Sequence, residues 1–116
     1  MAVLRREGDE LVVRLSMLEK LGAFHDDVSV PWSSVRYVRL NGSPFRELRG
    51  LRVGTGLPWI VALGTWYARG GRTFAAIHRG AQGVVAELDG APYRKLVVSM
   101  PDAAEVAGSL SRDLGL

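Results

Sequence analysis

Val53–Tyr67 reads VGTGLPWIVALGTWY, and the fold class turns on how its GTGLP is read. It is either a phosphate-cradling glycine loop leading into a helix or a turn leading into a strand. The dinucleotide pattern G-x-G-x-x-G needs a small residue where Gly54-Thr55-Gly56-Leu57-Pro58-Trp59 places Trp59, and a helix must open directly behind the loop. Trp59, Ile60, Val61, Thr65, Trp66 and Tyr67 favour a strand, and no Lys-Ser/Thr pair follows to complete a P-loop. GTGLP is therefore expected to be a turn, with an extended, almost wholly apolar segment from Pro58 to Ala68. Positions 59, 61, 63, 65 and 60, 62, 64, 66 face opposite sides of such a strand, so both faces need cover. One goes inward; the other meets a helix, a loop or another subunit.

On the C-terminal side, Thr73–His78 (TFAAIH), Gly83–Leu88 (GVVAEL) and Tyr93–Met100 (YRKLVVSM) read as strands separated by glycine-containing turns. Spacing of about ten residues is the pattern of an antiparallel meander. After Pro101 the period changes. Ala103, Val106, Ala107, Leu110 and Leu114 form one apolar stripe, which predicts a terminal helix over about 101–113. On the N-terminal side, Ala2–Arg6 and Leu11–Leu15 make a hairpin, and Asp26–Trp32 a strand with Pro31 at an edge or bend. Ser16 with Glu19 is a capping-box pair for one or two helical turns, with Gly22 as the expected stop. Ser33–Leu40 is strand-like without strict alternation, and Phe45–Leu51 is ambiguous between a bend and a short helix. The sum is about seven strands over residues 2–100 plus a terminal helix, in one domain spanning 1–116. A sheet of that length must curl or split, and a barrel would remove its edges.

Composition narrows the functions. With 47% hydrophobic and 23% charged residues the chain is an ordinary globular one, and it has no cysteine, which excludes disulfides and thiolate metal sites and fits a reducing compartment. The opening MAVLRREGDELVV puts acids and arginines where a secretion signal needs an apolar core. No apolar run reaches the ~20 residues that span a bilayer. Charge is unevenly spread: between Arg36 and Arg79 eight arginines face one acid, Glu47, and the flanks hold the other eleven acids. Arg36, Arg39, Arg46, Arg49 and Arg52 are the candidate anion-binding residues, the last three recurring every third position. They would suit a lipid headgroup, a phosphate or an acidic peptide; the alternative is a solvated face paired with flank acids. Nucleic acid is disfavoured, because aromatics are not interleaved on the basic surface.

No catalytic constellation stands out. His25-Asp26-Asp27 is the best metal candidate, but no second cluster completes a shell. His78 beside Arg79 lacks a nucleophile in a recognisable setting. Catalytic residues, metal and cofactor are therefore all assigned as none.

The segments VPWSSVRYVRL, RGLRVGTGLPWIVALGTW, RGGRTFAAIHRG and ELDGAPYRKLVVSMPDAAEVAGSL resemble a group of small uncharacterised actinobacterial proteins, themselves similar to bacterial pleckstrin-homology-like domains. The similarity runs from about Leu11 to Leu110. It implies a mainly β (α+β) fold: a seven-stranded, partly open antiparallel barrel of orthogonal sheets capped by a C-terminal helix. The family's phosphoinositide site lies between its first two strands, and here that turn, Glu7-Gly8-Asp9-Glu10, is acidic, so that activity is not carried over. Proteins of this shape also pair with peptides at a sheet edge or assemble with their own copies. The expectation is a non-enzymatic interaction module acting on a protein partner or a second copy, through the edge near Val30 and Trp32 and through Trp59, Trp66 and Tyr67. The alternative is an anion or membrane-surface binder using the arginines. The expected location is the cytoplasm, with peripheral membrane attachment under the alternative.

Overall fold

The computed structural model describes residues 1–116. The chain opens as a hairpin of β1 (Val3–Glu7) and β2 (Glu10–Arg14), turning at Gly8, whose φ of +62° suits glycine. The third strand, β3 (Val28–Pro31), pairs antiparallel with β2 and leaves its other side open, where Pro31 costs no ladder bond. Between β2 and β3 lies helix α1 (Met17–Ala23). Ser16 caps it as expected: its hydroxyl accepts from the Glu19 N–H while the Glu19 carboxylate accepts from the Ser16 N–H. Gly22 is not the stop. The left-handed residue that ends the helix is Phe24, and Gly22 is small because a Cβ there would meet Leu63 Cδ1 at 2.9 Å.

The remaining strands form one six-stranded sheet: β4 (Val35–Asn41), β5 (Leu51–Leu57), β6 (Val61–Ala68), β7 (Gly71–His78), β8 (Gly83–Leu88) and β9 (Lys95–Ser99), in the order β4-β8-β9-β7-β6-β5. A short 3-10 turn, Trp32–Ser34, leads into β4, and a register shift between Val35 and Tyr37 explains the broken alternation there. A second 3-10 turn, Pro44–Glu47, stands where the sequence was ambiguous.

Three expectations are corrected. There are nine strands in two open sheets, not about seven in a barrel. The large sheet is mixed: β9 lies between β7 and β8 and runs parallel to β7. The four residues 79–82 step over β9, a lateral gap of roughly 10 Å that they can span. Met100 N–H to the Gln82 carbonyl (3.1 Å) pins that crossing. Finally, GTG is not the turn. Gly54–Leu57 belongs to β5, and the chain reverses at Pro58–Ile60, closed by Ile60 N–H to the Leu57 carbonyl at 2.9 Å. Pro58 takes the first central position of that turn and Trp59, at φ +64°, the second, which glycine would normally fill.

The small sheet lays Leu4, Leu11, Val13, Val28 and Val30 on the inner face of the large one, against Leu63, Phe74, Ala76, Val84, Leu96 and Val98. Helix α2 (Ala103–Asp113) adds Ala103, Ala107 and Leu110 to this core, and the Ser111 hydroxyl donates to the Val38 carbonyl of β4. The outer face of the large sheet carries a second cluster, Ala62, Trp66, Ala75, Ile77, Val85 and Val97, covered by Phe45 and Leu48. The connection from β4 to β5 thus crosses the outer face from one edge of the sheet to the other. Strands β7, β8 and β9 are buried on both sides, which is why they read as unbroken apolar runs.

Candidate functional site

The arginine-rich segment is split by the sheet order. Arg36 and Arg39 sit on β4 and Arg52 on β5, at opposite edges, five strand spacings or roughly 24 Å apart. Arg39 is also occupied. It holds Glu47 through both terminal nitrogens (2.8 Å each) and Glu87 through Nε (2.9 Å), while Lys95 Nζ reaches the same Glu47 at 2.9 Å and Asn41 Nδ2 donates to it as well. These hydrogen bonds, Arg39's first, overcome burial and hold the Glu47 carboxyl at about 2. The lone acid of the basic stretch is therefore the hub that fastens the crossing segment onto the sheet. Arg36 bonds the Ser33 carbonyl and lies 3.8 Å from Asp89. Arg46, Arg49 and Arg52 are exposed and do not share one helix face, since the 3-10 turn ends at Glu47; none of the three makes an ion pair.

The residues foreseen as an interaction surface also separate. Val30 is fully buried in the core and Trp66 lies in the outer-face cluster, so neither offers a side chain to a partner. Trp32 is half-buried beneath the Arg6 guanidinium, 4.5 Å from its ring. Tyr67 is partly exposed beside Arg72. Trp59 projects from its turn, 59% exposed, with Phe45 edge-on at 5.8 Å.

Beside Trp59 the outer face forms a groove of about 250 Å³, lined by Phe45, Leu48, Arg52, Gly56, Leu57, Pro58, Trp59, Val61, Ala62 and Trp66. The glycines of GTG have separate jobs here. Gly54 allows β5 and β6 to approach, and Gly56 leaves room for Arg52, whose guanidinium folds over it. A Cβ at Gly56 would meet Arg52 Nη1 at 2.6 Å.

A second surface was not foreseen. Helix α1 is inverted: Glu19 points inward, its carboxylate accepting from the Ser16 N–H and 2.8 Å from His78 Nε2, while Met17, Leu18, Leu21 and Phe24 are each at least two-thirds exposed. Burial pushes the Glu19 carboxyl up, but the Ser16 N–H, the His78 ring and the Ser16 hydroxyl outweigh it and hold it below its usual range. The helix lies beside β5, with Thr55 Oγ1 donating to the Gly22 carbonyl at 2.8 Å. β5 itself is an open edge, with Leu51, Val53 and Leu57 exposed on its α1 side.

The two histidines are separately engaged: His78 with Glu19, and His25 with the Asp26 carbonyl and, at 3.2 Å, the Tyr93 hydroxyl. Asp27 is turned away, bonded to the Leu15 N–H and Arg14. No three His, Asp or Glu side chains gather where a metal would need them. No helix is long and apolar enough to cross a membrane. No family model, curated protein or solved structure matches the chain.

Proposed function

We propose that the chain is a non-catalytic interaction module that pairs with a second copy of itself through the open edge of β5 and the apolar face of α1. The observation that carries this is the inversion of α1. A helix that turns a carboxylate inward and Met17, Leu18 and Leu21 outward, with Phe24 exposed at its cap, exposes surface a monomer would gain by burying. With Leu51, Val53 and Leu57 on the neighbouring strand, seven large apolar side chains are about half exposed or more, which is the kind of surface that marks an association site.

The edge suits its own copy. Antiparallel pairing centred on Gly54 would set Leu51 against the partner's Leu57 and Val53 against the partner's Thr55, so the apolar side chains of the α1 side meet one another across the seam. Pleckstrin-homology-like domains, which the sequence resembles, are expected to pair at sheet edges or assemble with copies of themselves, in keeping with this reading. The lack of cysteine supports a reducing compartment, and the cytoplasm is the proposed location.

Light scattering over a concentration series tests the reading, using the doubly substituted Leu18→Glu/Leu51→Glu variant as control. Both side chains are about 80% exposed, so the variant should become monomeric and, at dilutions where wild type is unpaired, melt at the wild-type temperature. A wild-type chain that is monomeric up to roughly millimolar concentration would overturn the proposal.

A further inference from the structure

We propose that the groove beside Trp59 binds a small apolar monocarboxylate, with Arg52 pairing its carboxylate and Phe45, Leu48, Trp59 and Trp66 enclosing its body. This site lies on the outer face of the large sheet and, although Arg52, Gly56 and Leu57 also belong to the strand proposed to pair, its lining is complete within one chain.

Three independent observations converge on it. First, seven of the ten lining residues are hydrophobic, and Arg52 is the one charged group among them. Apolar walls with a single converging polar group are the usual make-up of a small-molecule site. One guanidinium fork matches one carboxylate bidentately, whereas a phosphate dianion would call for more donors than this groove holds. Second, Arg52 is aimed by a cradle. Its arm lies over Gly56, where any Cβ would fall 2.6 Å from Nη1 and 2.8 Å from Cδ. Its one hydrogen bond, to the Gly56 carbonyl, is 3.4 Å long, so little is forfeited when a ligand replaces it. Third, Trp59 is kept in the left-handed region at φ +64°, a conformation that disfavours a bulky residue, with its ring standing at the mouth against Phe45. Strain retained at an exposed aromatic is what a binding role would explain.

The volume sets the ligand's size. A cavity of roughly 150 Å³ takes a benzene ring, so about 250 Å³ takes one ring or a short alkyl chain plus its acid group. For a ligand of this size a dissociation constant of roughly 0.1–1 mM is expected.

The experiment is an NMR titration of the full chain with 3-phenylpropionate, following the Trp59 indole N–H and the Arg52 Nε–H. The uncharged 3-phenylpropanol and inorganic phosphate serve as comparison probes. Saturable shifts at both residues are expected with the carboxylate, and at least tenfold weaker binding of the alcohol and of phosphate. Arg52→Gln should weaken binding at least tenfold with no change in melting temperature, and Gly56→Ala should do the same by displacing the guanidinium. The Leu18→Glu/Leu51→Glu variant should bind as wild type, which separates this site from the pairing edge. Absence of a saturable shift at Trp59, equal binding of the alcohol or of phosphate, or an Arg52→Gln variant that binds normally would each overturn the proposal.

Discussion

Gly54 on β5 and Gly64 on β6 stand directly opposite each other, both at φ +138°. A Cβ on Gly54 would fall 2.1 Å from the Leu63 carbonyl oxygen, and one on Gly64 would fall 2.2 Å from that of Val53. Backbone faces backbone at this point, so no rotamer change can relieve an added methyl. Gly64→Ala is expected to cost about 2–4 kcal/mol, combining the φ penalty with the clash. Gly42→Ala, where an added Cβ meets nothing within 4 Å, should stay within about 0.5 kcal/mol of wild type. Urea unfolding of the two variants checks the pair. A Gly64→Ala protein as stable as Gly42→Ala would mean that β5 and β6 do not approach as described.

Glu47 is expected to dominate the acid limb of the stability curve. Its carboxyl is held at about 2, chiefly by Arg39's hydrogen bonds, against an ordinary value of 4.5. A depressed folded-state value means the contribution is whole above about 4.5 and drains away as pH falls toward 2. Glu47→Gln should cost about 2–3 kcal/mol at neutral pH, since it leaves Arg39 and the nearly buried Lys95 without their shared anion. The gap between wild type and variant should then narrow steadily below about pH 4.5. A gap that is constant with pH would assign the effect to packing.

What the sequence disclosed, and what it withheld, follows from the range of the interactions involved. Strand β8, helix α2 and the Ser16–Glu19 cap are local patterns, and each was legible. Strand order is not local. The runs at Ala75–Ile77, Val84–Ala86 and Leu96–Val98 are equally apolar, so nothing in them says that β9 inserts between β7 and β8. β5 was missed because Gly54 and Gly56 look like turn formers, and only the opposing Gly64 and the overlying Arg52 give them a place in a strand. The arginines misled for a similar reason: sequence neighbours at 36–52 are spread across the full width of the sheet. One signal was available. A single acid among eight arginines is a natural hub, and Glu47 proves to be one.

Helix α1 should be the most easily released element that matters for pairing. It is tied down by its cap, by Glu19 to His78, and by Thr55 to Gly22, not by a broad apolar face. Glu19→Ala removes the reciprocal cap and leaves His78 unpartnered, at an expected cost of about 2 kcal/mol; Glu19→Gln can keep the cap and should cost about half as much. Hydrogen exchange should rise in Met17–Ala23 of the Ala variant before it rises in β7–β9, and self-association should weaken in parallel. Equal protection of α1 in both proteins would show that Glu19 is not what holds the helix.

Trp59 offers a way to separate binding from folding. Its left-handed backbone costs roughly 1–2 kcal/mol relative to glycine, and its edge contact with Phe45 returns about 0.5–1.5 kcal/mol. The two nearly cancel, so Trp59→Gly should unfold within about 1 kcal/mol of wild type. The same substitution removes one wall of the groove and its mouth, and it should abolish the carboxylate-induced shift at Arg52 Nε–H. A residue held only for structure would behave the other way round, with stability falling and the Arg52 response intact. Unfolding by urea and titration of the same variant thus decide together whether the tryptophan is kept at that turn for the ligand or for the fold.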